Sequence, residues 1–203
     1  MVSRYGKDHK ATTRRAIVES SGRRFKLDGI DGSGVATLMK DAGLTNGAFY
    51  AHFASKDELV AATIADQLAS QRNTLRTVAT DRAGMAAFVR SYLSPAQRDD
   101  RAEGCPSAAL LDEIARCSPA ARAAYTAGLI ALVDDIAAVL APEDPASAQR
   151  RTWSTVVLMI GTLQMARALD DLTLSDAVLE HGIDSAILLL GLDHVEEADD
   201  EGT

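Results

Sequence analysis

A chain of 203 residues is long enough to bury a sizeable core, either as one large domain or as a small module fused to a mid-sized one. The formal charge of −8 counts against a nucleic-acid partner until its distribution is read: the first 60 residues carry ten Lys and Arg against seven Asp and Glu, a balance of +3, and the remainder carries −11. Two cysteines, Cys105 and Cys117, exclude a disulfide scaffold and suit a reducing compartment, and the opening MVSRYGKDHKATTRR has no apolar core for a signal peptide.

Helical periodicity runs through nearly the whole chain, alanine is abundant and period-two alternation is scarce, so the fold class expected is all-α. The first helix is expected from Asp8, a possible cap, to Phe25, with Ile17, Ser21 and Phe25 on one face. Eight of the first 26 residues are basic and two acidic, which makes this a basic helix. LDGIDGSG at 27–34 breaks it, since three glycines among polar residues do not hold a helix. Next comes a short helix with Val35, Leu38, Met39 and Ala42 as its apolar stripe. Gly43 is placed to end it in a left-handed cap, and Thr45 to cap a second helix.

On that second helix Phe49 and Phe53, with Ala48, face the stripe, whereas Asn46, Gly47, Tyr50 and His52 are left outward. A glycine there costs about 1 kcal/mol of helix propensity. It also lets backbone approach base edges in a major groove, which a stability argument alone does not explain. Tyr50 can donate to a phosphate and Asn46 can pair with a base edge or phosphate. Ser55 and Glu58 form a capping-box pattern, so a new helix starts at once, with Lys56 at its positive end as a phosphate clamp. Candidate DNA contacts are therefore Ser33, Thr37, Thr45, Asn46, Gly47, Ala48, Tyr50, His52 and Lys56.

The residues Phe25, Gly29, Leu38-Met39, Ala42-Gly43-Leu44-Thr45, Gly47, Phe49-Tyr50, His52-Phe53 and Ser55-Lys56 through Leu59 resemble the TetR/AcrR-type transcriptional regulators, over roughly residues 9–64. GCPSAALLDEIARCSP also looks like a segment found in some members. Gly34 stands where many members have Thr or Ser touching phosphate, a contact that Ser33 or Thr37 can replace, and Asn46 stands where close relatives often carry His or Lys. The resemblance implies a homodimer of about nine helices per chain. Three of them form a DNA-binding head, and the last two pair with those of the partner in a four-helix bundle. Four scattered histidines and two cysteines offer no catalytic motif or metal-ligand spacing, so no enzyme, cofactor or metal is expected; the cysteine usage and the opening place the protein in the cytoplasm, and two reading helices on a two-fold axis are expected to read a palindromic double-stranded operator.

In the body, helices are expected near 56–77, 81–94, 106–116, 119–140, 146–169 and 174–191. Pro106, Pro119 and Pro145 sit in first turns, and Pro95 and Pro142 end the segments before them. The longest apolar stretch, around Val156 to Met165, is too short and interrupted to cross a bilayer. The division expected is a DNA-binding domain at 1–54, a ligand-binding and dimerisation domain at 55–192 and an acidic mobile tail at 193–203. Val156, Val157, Ile160, Leu163, Ile183, Ile187 and Leu190 are more apolar surface than one helix needs toward its own core; Val156, Ile160, Leu163, Ile183, Ile187 and Leu190 are the candidate dimer face, with Gly161 allowing close approach, and the alternative is that these faces only complete the intramolecular core.

Phe88, Tyr92, Cys105, Ile114, Tyr125, Trp153 and Met159 suit the lining of an apolar effector pocket, and Gln164 and Arg167 its orienting groups. The function expected is repression relieved by a small, mostly apolar ligand. Two alternatives stand beside it. Cys105, at a helix start, could sense an electrophile or oxidant; about 18 Å along a shared helix separates it from Cys117, too far for a bridge. A basic head alone would also serve a sequence-neutral DNA-binding protein.

Overall fold

The structure is a computed structural model that describes residues 2–193, with side chains from Asp8 onward; of the acidic tail only Asp193 falls within it. Every regular element among the described residues is helical. In chain order they are α1 (Val2–Asp28), α2 (Val35–Asp41), a 3-10 helix (Asn46–Ala51), α3 (Lys56–Val78), α4 (Arg82–Tyr92), α5 (Pro95–Asp99), α6 (Pro106–Arg116), α7 (Pro119–Leu140), α8 (Pro145–Ala168) and α9 (Leu172–Leu190).

Proline and capping chemistry set most of the boundaries. Pro106, Pro119 and Pro145 each open a helix, where a missing N–H leaves no bond unmade. Pro95 does the same rather than ending a segment: Ser94 accepts from the Gln97 amide and starts the five-residue α5. At the front, α1 begins at Val2, not Asp8, because only Gly6 among these residues opposes a helix. α7 overturns the expectation about apolar stretches, being by length and composition the one described helix apolar enough to span a bilayer. Its Leu132, Val133, Ile136, Ala137 and Leu140 are buried, while Ile130 is 45% exposed.

The described residues pack as two compact units. The first comprises residues up to 69 together with 101–128. Its core joins Ile17, Phe25, Leu38, Met39, Phe49, Phe53, Leu59 and Ile64 to Leu110 and Ile114 of α6. Residue 106 onward therefore supplies part of the core on which the amino-terminal helices rest.

The second unit comprises 70–100 and the residues from 129. Its centre is the α8–α9 pair, joined through Asp171, whose carboxylate accepts from the Thr173 and Leu174 amides. The two helices approach so closely at Gly182 that a β-carbon there would collide with the Thr162 side chain. Arg98, 8% exposed, bonds Asp99, Ser175 and Asp176. Arg167 donates to the Gln97 and Arg98 carbonyls, so it braces α5 rather than presenting its charge to a ligand. Asp135 bonds both Arg72 and Arg76; burial pushes its carboxyl up, but the two guanidinium partners outweigh this and hold it below the usual carboxylate range.

This packing corrects the dimer face read from sequence. Val156, Ile160, Leu163, Ile187 and Leu190 are buried within the protomer and Ile183 is half-buried, because they are the seam between α8 and α9 and the helices beneath. What α8 and α9 leave exposed is a different apolar set: Val157, Met165, Leu172, Leu174, Leu188 and Leu189.

Candidate nucleic-acid interface

The helix-turn-helix geometry rests on one tight closure. Gly43, at φ 70°, donates its amide to the Lys40 carbonyl at 3.0 Å, and Leu44 donates to Met39 at 2.8 Å, so two orphan carbonyls at the end of α2 are satisfied. Thr45 takes the cap position in extended conformation (φ −79°, ψ 152°) without using its hydroxyl. The helix it introduces is a six-residue 3-10 helix rather than the α-helix expected. Gly47 weakens helix formation near its start, and the new helix beginning at Lys56 leaves too few residues for α-type bonding to win.

Aromatic packing fixes which face points outward. Phe49 and Phe53 are buried with ring centroids 5.8 Å apart, and Tyr50 meets Phe49 edge-on at 5.2 Å while remaining 74% exposed. Arg14 of α1 lies over the Phe53 ring, 4.3 Å from its centroid, and reaches Glu58 at 3.1 Å. Thr37, Thr45, Asn46 and Gly47 are exposed beside Tyr50 in the chain, and Ala48 and His52 are half-buried. A β-carbon on Gly47 would meet nothing within 4 Å, so the protomer itself places no demand for glycine there.

Three expected contacts change on the structure. Ser33 is 1% exposed and its hydroxyl donates to the Gly29 carbonyl at 2.7 Å, so it does not take over a phosphate contact from Gly34. Lys56 is half-buried and its ammonium donates to the Ile30 carbonyl at 2.6 Å, which makes it a strut between α3 and the loop before α2. His52 has its Nδ1 enclosed without a hydrogen-bond partner, and burial together with the positive charges of Lys10, Arg14 and His9 holds its ring below the ordinary histidine value. The capping box is displaced by one residue: Ser55 accepts from the Glu58 amide at 3.2 Å, but the Glu58 carboxylate takes the Ala54 amide at 2.8 Å.

Several positioning groups were invisible in the sequence. Arg24 bonds Asp41 at 2.7 Å and Asp28 at 2.8 Å, tying α1 to α2 and holding the Asp41 carboxyl below the usual range. Glu113 of α6 accepts from the Ile30 and Asp31 amides at 2.7 and 3.2 Å. Such a contact joins residues more than eighty positions apart, and no periodicity or capping pattern announces it.

The residues expected to line an effector pocket divide between the two units. Cys105, Ile114 and Tyr125 lie in the first, where Ile114 belongs to the core and Tyr125 donates to the Ser107 hydroxyl at 3.0 Å, its phenol pushed up by burial. Cys105, at the start of α6, is 4% exposed, and the half-buried Cys117 at its end has a thiol pushed up by burial and by Asp31, Glu113 and Asp57. Phe88, Tyr92, Trp153 and Met159 lie in the second, with the Phe88 and Tyr92 rings 6.3 Å apart. None of the seven lines the polar cleft of about 240 Å³ bounded by Lys56, Glu113 and Cys117, or the groove of about 530 Å³ between α4 and α9.

Comparison with known proteins agrees with this geometry. Residues 17–63 match the family described as bacterial regulatory proteins, tetR family. No curated protein matches the chain by sequence. Among solved structures, NemR of E. coli in its reduced form superposes with a TM-score of 0.73 at 20% identity, covering 86% of this chain and 95% of that one. A TetR-family regulator from Cytophaga hutchinsonii gives 0.74 at 20% identity over 90% and 95%. FadR from Bacillus subtilis in complex with stearoyl-CoA gives 0.60 at 14% identity over 83% and 97%. The outward 3-10 helix on its aromatic core thus lies within residues 17–63, which match the tetR-family DNA-binding head, and the chain shares the all-helical fold of solved TetR-family regulators.

Proposed function

We propose that the protein is a homodimeric, sequence-specific regulator that occupies a palindromic operator in the cytoplasm and leaves it when a small, mostly apolar ligand binds. The observation that carries this reading is the outward face of the 3-10 helix, where Asn46, Gly47 and Tyr50 stand exposed over buried Phe49 and Phe53, next to a basic α1. A residue lacking a side chain where the fold does not require one makes sense if a duplex must come close. Thr37 and Thr45 add hydroxyls for phosphate, and residues 1–54 are the DNA-reading segment.

One short helix reads few base pairs, so recognition calls for two of them on a two-fold axis. Val157, Gly161 and Met165 recur along one exposed side of α8, and Leu174 and Leu188 are exposed on α9. We assign the dimer contact to this face, within the ligand-binding and dimerisation segment 55–192. The apolar character of the effector rests on Phe88 and Tyr92, whose rings lie 6.3 Å apart, with Trp153 and Met159 of the same unit, and the FadR structure holds stearoyl-CoA. The effector must bind the form with mis-spaced heads more tightly than the operator-bound form.

The test is selection of duplexes from a random pool by the intact protein, then gel shifts against unselected DNA and a sedimentation mass. A palindromic consensus, affinity that falls steeply with salt and a dimer mass are expected. Equal affinity for selected and random duplex would replace this reading with sequence-neutral binding.

A further inference from the structure

We propose that Glu113 is the positioning residue through which α6 sets the DNA-reading helices, by gripping the peptide unit of Ile30; this deepens, and rests on, the regulatory reading above. Both polar groups of that backbone segment are taken by side chains from other helices. The Ile30 amide donates to Glu113 Oε2 at 2.7 Å, the Asp31 amide to the same oxygen at 3.2 Å, and the Ile30 carbonyl accepts from Lys56 Nζ at 2.6 Å. Ile30 is itself 4% exposed and anchored in the core. The segment so held is the loop that leads into α2, the first helix of the reading motif.

The surroundings are shaped for this grip. Gly29 has φ 80°, which favours glycine at the turn, and a β-carbon there would come within 2.7 Å of the Glu113 carboxylate and push it from its present position. At the other end of α6, buried Lys26 of α1 donates to the Gly104 carbonyl at 3.0 Å, just before the helix starts. Leu110 and Ile114 lie between these ties, in the core that also holds Leu38 and Phe49. α6 is thus pinned to α1 at its start and to the α1–α2 loop near its end. A shift of α6 along or about its axis moves the Glu113 oxygen, and the Ile30–Asp31 amides move with it or lose their acceptor. Either outcome re-aims α2, and with it the 3-10 helix that packs on α2.

Linkage makes the coupling measurable without the effector, because whatever α6 does to DNA binding, DNA binding does to α6. The probe is a duplex selected by this protein from a random pool, and the readouts are amide hydrogen exchange over residues 106–116 and the labelling rate of the Cys117 thiol, which lines the cleft beside Glu113. In the wild type, saturating duplex should change both rates by at least about fivefold, the low end of ordinary coupling between sites. Both amides share one oxygen, so Glu113→Gln, which keeps an acceptor of the same reach, should retain the effect. Glu113→Asp, which keeps the charge but falls one methylene short, should lose it even at duplex concentrations that saturate the variant. Glu113→Ala should behave as Asp does. A duplex effect that persists in Glu113→Asp, or that disappears in Glu113→Gln, overturns the proposal. Failure of the wild type to select any duplex would instead overturn the regulatory reading, leaving exchange at the Ile30 and Asp31 amides, expected to be at least about fivefold faster in Glu113→Asp than in Glu113→Gln, to decide the grip itself.

Discussion

The reading segment around Gly47 and the α8–α9 pair use glycine and apolar side chains in the same two ways, with opposite surfaces as the result. Each has an exposed glycine, Gly47 and Gly161, whose missing β-carbon would touch nothing in the protomer. Each also rests on buried apolar residues, Phe49 and Phe53 in one, Leu163 and Ile187 in the other. The outward groups differ: Asn46 and Tyr50 present an amide and a phenol, whereas Val157, Met165, Leu174 and Leu188 present hydrocarbon and thioether. On the reading proposed above, these two exposed glycines leave room for something approaching from outside, a polyanion at Gly47 and an apolar face at Gly161.

The sharpest way to break this comparison is to exchange inside for outside on α8. Leu163→Ala should cost about 2–5 kcal/mol of unfolding free energy, as a buried leucine does, whereas Val157→Ala on the next face should cost less than about 0.5 kcal/mol in the isolated protomer. Chemical denaturation of both variants checks this, and a comparable loss at Val157 under dissociating conditions would contradict the assignment of faces. Gly47→Ala should leave folding stability unchanged or raise it by up to about 1 kcal/mol, since Ala is the better helix former. It should also weaken binding to selected duplex by about tenfold or more, or about 1.4 kcal/mol. Equal binding would mean that no duplex comes near this backbone.

Two smaller effects refine the picture. Asp135 has a folded carboxyl value below the unfolded one near 3.9, so its bonds to Arg72 and Arg76 stabilise above that pH and lose their contribution as pH falls through the folded value. Asp135→Asn should therefore cost roughly 1–2 kcal/mol at pH 7, after allowance for solvent screening, and nothing in strong acid. Urea titrations across pH 2–7 track the difference. Gly34 caps α2 in extended geometry (φ −73°, ψ 149°) with open space at its β-carbon. Gly34→Ser should add a few tenths of a kcal/mol through a cap hydroxyl, visible as a small rise in melting temperature.

Much of this was legible in the amino acids. Residues that act through local chemistry declared themselves: Pro106, Pro119 and Pro145 opened helices where expected, and Gly43 closed α2 in the left-handed region. The pattern of Phe49 and Phe53 inward and Tyr50 outward was also readable from spacing alone. Contacts between distant segments did not declare themselves. Lys56 looked like a free cation at a helix start until Ile30 was placed beside it, and Ser33 looked available until Gly29 took its hydroxyl. On α8 and α9 both sides are apolar, so periodicity could not rank them, and the stripe assigned to a partner proved to be the seam within the protomer. The 3-10 form of the reading helix was hidden for a further reason: helix type over six residues is decided by what ends the segment, not by its own composition.

The completion of the amino-terminal core by Leu110 and Ile114 bears on protein engineering. Swapping specificity modules between relatives at a junction near residue 54 would strand Phe49 and Phe53 over a notch shaped for another protein's side chains. Chimeras that carry α6 along with the transplanted segment should express and stay soluble where simple exchanges aggregate.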